Sequence, residues 1–279
     1  MFTTRSTILV SLVSCLMVFN FLEAYVMSNP PHKTIYISQI QEEHILSATE
    51  DQRTFILKFL REFDQNLYQI HMVPNLGMFF LDVSQKPDWI KDILRRGCVW
   101  ENYIENLIKL YACPGTVALD IGAHIGTHTF AMARAVGDLG KVIAFEPQLK
   151  TCREHFMNAA LNGATNIYTF WAALGDKSGE IDLPNFIPQC EIVQLHDHAY
   201  GLSGIKAPLI TLDSLAINNV SLMKVDVDGW EGKFLDGARE TILRNKPVII
   251  IEIEGGYDVE SPQCSQEVID RAKIGRAHV

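Results

Sequence analysis

None of the six cysteines forms a C-x-x-C pair, and their spacing is irregular. That pattern indicates neither a zinc site nor a disulfide framework. Cys15 lies in an apolar segment, and Cys98, Cys113, Cys152, Cys190 and Cys264 read as scattered thiols of a folded core. A long basic run is also missing, and the formal net charge is −9. This argues against a chain that grips nucleic acid phosphates over a broad face, so no nucleic acid partner is expected. Internal repeats and low-complexity tracts are absent as well. What remains is a globular chain of 279 residues, 48% hydrophobic, long enough for one large domain or two small ones.

Charge is scarce at the N-terminus. After Arg5 an uncharged run extends from Ile8 to Leu22 and stops at Glu23. Its length fits a secretory signal (residues 1–27) or a short signal-anchor, with a buried N-terminal helix as the plain alternative. A sequon at Asn219 fits a lumenal route, so a secretory or membrane-anchored location is expected, the N-terminal segment contacting membrane. Residues 28–40, with a Pro-Pro pair, read as a linker.

Residues 41–115 read as an N-terminal helical region. Ile45, Leu46, Phe55, Ile56, Phe59, Leu60 and Phe63 recur at helical spacing from Glu42 to about His71. "GMFFLDVS" reads as a short strand, "DWIKDILRRG" as a helix closed by Gly97, and "VWENYIENLIKLYACPG" as another. From residue 116 strands and helices alternate. Strands are expected at Thr116–Asp120, Lys141–Glu146, Asn166–Ala172, Ser221–Asp226 and Val248–Ile253, and helices at Thr129–Ala135, Leu149–Leu161 and Glu231–Asn245. That rhythm predicts an α/β fold with a mostly parallel sheet and helices on both faces. Gly175–Asp213 breaks it, with a turn or hairpin at "DKSGEIDL" and irregular strands and loops beyond.

Ligands of such sheets bind at the C-terminal ends of the strands. "TVALDIGAHIGTHTF" places Asp120 at a strand end and Gly122 and Gly126 in the turn that follows. The G-x-G-x-x-G fingerprint of a dinucleotide loop lacks its middle glycine here, which counts against a nicotinamide-dependent oxidoreductase. An acid at this point suits a cofactor with a cationic amino group, as S-adenosylmethionine has. Glu146, at the tip of the next strand, is placed to accept from two ribose hydroxyls. Farther on, Asp226, Asp228 and Glu231 crowd one strand end, where mutual repulsion raises carboxylate pKa values unless a cation compensates. Glu231 also reads simply as the acidic start of a helix.

These segments, "GCVWE", "DIGAHIGTHT", "AFEP", "AALGDKSGEI", "TLDSL", "KVDVDGWEGKFLDGA" and "KPVIIIEIEG", resemble in type and order the FkbM-type S-adenosylmethionine-dependent methyltransferases. The resemblance runs from about Gly97 to Gly256 and implies a class I methyltransferase (Rossmann-like) fold. It implies cofactor contacts from Asp120, Gly122, Ala123, His124, Gly126, Glu146 and Ala173. It also implies O-methylation of a hydroxyl on a sugar, glycan or small metabolite, with Asp226 as base or acceptor holder and Asp228 in the same motif. His124 and His128 are rival bases, and each also has a plain reading in capping or packing. His124 stands where the family usually has Asn, and Asp228 where it usually has Glu. His196 and His198 beside Asp197 read as polar surface, and no metal is called for. The competing function is a non-catalytic interaction protein that keeps the fold.

The methyltransferase domain is expected over residues 116–273, incomplete at its C-terminus because two further strands normally follow the fifth. "KIGRAHV" back-translates to the start of a common sequencing-library adapter, so residues 274–279 are expected to be read-through. On that reading the last strand keeps an open edge.

Overall fold

A computed structural model describes residues 8–11, 34–35, 67–82, 88–183 and 205–252. Most of the expected linker, the helical reading of residues 42–66, the His196–His198 stretch and the expected read-through at 274–279 lie outside the described residues. Among the described residues, the central sheet has six strands, all in parallel pairing. They are β1 (Ile8–Ser11), β5 (Val117–Ile121), β6 (Lys141–Phe145), β7 (Ile167–Phe170), β11 (Val220–Val225) and β12 (Val248–Glu252). Their order across the sheet is β1-β12-β11-β5-β6-β7. The fold is the class I methyltransferase architecture, and the five later strands fall where the alternation of apolar runs predicts them.

Alternation along each strand divides the core between two faces. Leu119, Ile121, Met223, Val225, Ile249 and Ile251 pack on one face with Phe234 and Ile242, from the helices α5 (Glu231–Gly237) and α6 (Arg239–Asn245). Ala118, Leu222 and Ile250 pack on the other, under α2 (Asn102–Tyr111) and α3 (Thr127–Val136). Asp120 and Lys224 share this second face.

Three sequence readings need correction. First, Tyr68–Val73, read as the tail of the helical segment, is a strand (β3), which pairs antiparallel with Gly77–Asp82 (β4), the strand expected at "GMFFLDVS". Burial alternates at the end of β3, with Met72 exposed between His71 and Val73, which are buried. β2 (Thr34–Ile35) adds to the edge of β3. The expected helices are present as α1 (Trp89–Arg95) and α2.

Second, Glu231–Asn245 is two helices, broken at Ala238 (φ −113°). Asp213 explains the break, since its carboxylate accepts from the backbone N–H of Glu240 (3.0 Å) and Thr241 (2.7 Å) and so serves the start of α6. Asp213 belongs to a 3-10 turn, Leu212–Leu215.

Third, the outer edge of β12 is not open. β1 pairs with it, Ile8 opposite Ile249 through Ser11 opposite Glu252. These four residues belong to the run read as a signal or anchor, and here they are a strand. Among the described residues no helix is long and apolar enough to cross a membrane.

The insert region contributes β8 (Ala173–Leu174), β9 (Gly179–Leu183) and β10 (Ile205–Ile210), a small sheet ordered β8-β10-β9. Helix α4 (Leu149–Leu161) fastens the hairpin to the main sheet. Asn162 accepts from Met78 N (2.8 Å) and donates to Met78 O (2.7 Å), Asn158 accepts from Phe80 N (2.6 Å), and Glu154 accepts from Asp82 N (2.9 Å). Four helical residues rise about 6 Å and two strand residues about 6.6 Å, so side chains four apart on α4 meet alternate residues of β4. Lys91 closes the row with a buried bond to Glu154 (2.7 Å). Cys98, Cys113 and Cys152 are free thiols, and Asn219 of the sequon is exposed ahead of β11.

Candidate cofactor and acceptor site

Parallel pairing brings the C-terminal ends of β6, β5 and β11 together, and with them Glu146, Asp120 and Asp226. Lys224 lies directly across from Asp120 in the ladder. Two residues on, Asp226 returns to the same face, and Lys224 Nζ donates to its Oδ2 at 2.7 Å. Burial alone pulls the Lys224 ammonium down, but Asp226, Asp120 and Glu101 overcome it and hold its pKa above the ordinary lysine value. Glu101 arrives at the N-cap of α2, takes a bond from the Tyr103 hydroxyl (2.8 Å), and lies 3.8 Å from His128 Nε2. One buried cation is thus ringed by three carboxylates.

Asp120 is fully buried, which raises its pKa against the pull of Lys224. Thr129 Oγ1 donates to Oδ2 at 2.5 Å, while Oδ1 has no hydrogen-bond partner. A buried carboxylate oxygen without a donor fits the ammonium of S-adenosylmethionine. Glu146 is 6% exposed. Its Oε2 accepts from His124 N (3.0 Å) and its Oε1 from Gln148 N (2.8 Å), leaving one lone pair on each oxygen for a diol. Burial pushes its pKa up to about 7 against those two bonds. Trp171 stands beside it, its indole N–H donating to Pro147 O (2.8 Å).

The loop glycines serve the protein's own packing. A Cβ on Gly122 (φ +79°) would lie 1.7 Å from Asp226 O, so this glycine lets the β5 and β11 ends close on each other. A Cβ on Gly126 (φ +100°) would press on the His155 and Phe130 rings at 3.1 Å. Between them Ala123 is buried, and His124 takes a left-handed φ of +48°. Asn, Asp and His tolerate that region best, so Asn and His are exchangeable here on backbone grounds. Asp228 is also left-handed (φ +50°), a conformation that suits Asp better than Glu.

Burial keeps His124 and His128 neutral, each with its pKa well below the usual value, with the Lys91 or Lys224 charges adding to the effect. Asp228 is exposed beyond the end of β11, and partial desolvation followed by the charge of Asp226 raises its pKa to about 6. Glu231 is buried and accepts from Gly229 N (3.0 Å), the tie of a helix start. Ala173 is buried in β8 opposite Leu209, beyond the tip of β7. Sequence reasoning missed Lys224 and Glu101, although a lone lysine inside the apolar strand "SLMKV" was a usable signal, because a buried cation needs acid partners.

The chain is similar to several known proteins. A curated sarcosine/dimethylglycine N-methyltransferase of Aphanothece halophytica is 31% identical over 78 residues, covering 27% of this chain and 28% of that protein. A methyltransferase FkbM structure from Methylobacillus flagellatus KT aligns with TM-score 0.36 and 17% identity, over 53% of this chain and 39% of the other. Aeropyrum pernix fibrillarin, solved with natively bound S-adenosyl-L-methionine, aligns with TM-score 0.39 and 11% identity, over 75% and 84%. The chain therefore spans under a third of the curated relative. Residues 120–265, just over half of the chain, match the methyltransferase FkbM domain. The protein thus belongs to the FkbM methyltransferase family, and its cofactor is S-adenosylmethionine.

Proposed function

We propose that the protein transfers the methyl group of S-adenosylmethionine to a hydroxyl oxygen of a sugar, glycan or small metabolite. The observation that carries the reading is the pair of buried acids at adjacent strand ends, Asp120 with one unpaired oxygen and Glu146 with two free lone pairs. The cofactor supplies an electrophilic methyl on sulfur. The protein must align an acceptor oxygen with it in line and remove the hydroxyl proton. Asp226, fixed by Lys224, is the group for holding the acceptor hydroxyl. Asp228, exposed and with its pKa near 6, is the group for taking the proton and releasing it to solvent. The neutral histidines are weak bases by comparison.

Calorimetric titration with S-adenosylmethionine tests the site. Glu146→Ala is expected to weaken binding at least about tenfold, because two hydrogen bonds to a charged group are lost. The pH dependence has a definite sign. Ribose hydroxyls favour the ionised carboxylate, whose pKa in the free protein is about 7. Affinity is therefore expected to rise with pH up to that value and level off above it, with proton release on binding below it. Glu146→Gln should abolish the proton release. A folded protein that binds no cofactor would return the chain to the non-catalytic reading.

A further inference from the structure

Behind Asp120 lies a line of polar groups, two buried and one half-buried, that the proposed chemistry does not use. His155, on α4, is fully buried and keeps a pKa of about 3, so its imidazole is neutral. Its Nε2 is 2.9 Å from Thr129 Oγ1 and its Nδ1 is 2.8 Å from Thr169 Oγ1, on β7. The Thr129 hydroxyl has a single proton, and that proton goes to Asp120 Oδ2. Thr129 Oγ1 must then accept from His155, which requires the Nε2–H tautomer. Nδ1 is left as an acceptor, filled by the Thr169 hydroxyl. Every donor in the line, Thr169 to His155 to Thr129 to Asp120, points toward the acid.

We propose that His155 is a positioning residue for the cofactor. Held in one tautomer by Thr169, it acts through Thr129 to fix Asp120 Oδ2, so that Oδ1 is presented to the ammonium of S-adenosylmethionine. Gly126 belongs to the same device, because a side chain there would press on the imidazole. The other charges facing Asp120 are Lys224 and Asp226 from β11 and Glu146 from β6. None of them contacts Oδ2, so the hydroxyl bond sets the carboxylate's rotation. This inference rests on the methyltransferase reading for the identity of the ligand but not for the donor line.

Nitrogen-15 NMR of the full chain without cofactor tests the line directly. His155 is expected to stay a neutral Nε2–H imidazole between about pH 5.5 and 8. An Nδ1–H tautomer, or titration in that range, overturns the proposal. Calorimetry then tests the consequence, with thermal unfolding as a check on folding. His155→Phe is expected to lower cofactor affinity about tenfold, whereas His155→Gln, whose amide can donate to Thr129, stays within about threefold. Equal affinity of the Phe variant and the wild type also overturns it. If the tautomer is as expected and the wild type binds no S-adenosylmethionine, the methyltransferase reading falls, while the assigned donor line stands on the NMR result.

Discussion

Gly122→Ala is expected to lower the stability of the fold by up to about 4 kcal/mol in urea unfolding. The added Cβ would stand 1.7 Å from Asp226 O and 2.8 Å from Asp226 C, well inside contact distance. Neither backbone has room to yield. Gly122 N and Ala123 N both donate to Phe145 O at 3.0 Å, and Asp226 N donates to Ile121 O at 3.0 Å. Overpacking costs about 1–3 kcal/mol even where side chains absorb it, and a left-handed φ adds about 1 kcal/mol for a residue with a Cβ. A combined loss of up to about 4 kcal/mol is a large share of a domain stability of about 5–15 kcal/mol. Gly115→Ala separates the two effects, since Gly115 has nearly the same positive φ (+77°) but has nothing within 4 Å of the new Cβ. It is expected to lose only about 1 kcal/mol in urea unfolding. Equal losses in the two variants would show that the close approach of β5 and β11 costs nothing to disturb.

Lys224→Met should be nearly as damaging, with a distinctive pH dependence. Removing the cation leaves Asp120, Asp226 and Glu101 around an uncompensated buried position, a change that typically costs about 3–5 kcal/mol. Without Lys224, the pKa values of Asp120 and Glu101, already raised by burial, rise further. Carboxylates with a folded-state pKa above the unfolded value bind protons on folding, so they penalise the folded state at high pH and cease to do so as pH falls. The stability gap between wild type and variant is therefore widest above neutrality and narrows toward acid pH. Denaturant midpoints at several pH values measure it. A gap that stays constant would assign Lys224 to packing alone.

The sequence made the acids of the site legible because each stands at the end of an apolar run, and in a parallel sheet run ends converge. Asp120, Glu146 and Asp226 needed only the strand assignment. Lys224 and Glu101 needed more. The first is paired through cross-strand register, and the second arrives from α2, ahead of the matched domain, so neither partnership is visible within one segment. His155 was hidden for a similar reason, since its two threonine partners lie on α3 and β7. The first strand of the hairpin was obscured because helical spacing through Phe63 carried the reading past Tyr68, where strand pairing takes over, while the second was legible in "GMFFLDVS". The break at Ala238 depends on Asp213, a cap supplied from an earlier turn.

The row of Glu154, Asn158 and Asn162 along β4 has a consequence for how the protein can be divided. These side chains satisfy the backbone N–H groups of Met78, Phe80 and Asp82 in place of a neighbouring strand. Cutting the chain where the matched domain starts, at residue 120, would leave the side-chain oxygens of Glu154, Asn158 and Asn162 without the backbone donors of β4, and Glu154 without Lys91 as well. The hairpin released alone would carry a bare strand edge, the usual seed of intermolecular β-pairing. The matched domain and the N-terminal hairpin are therefore expected to unfold together, and a fragment that begins at residue 120 is expected to be less soluble than one that begins before Tyr68.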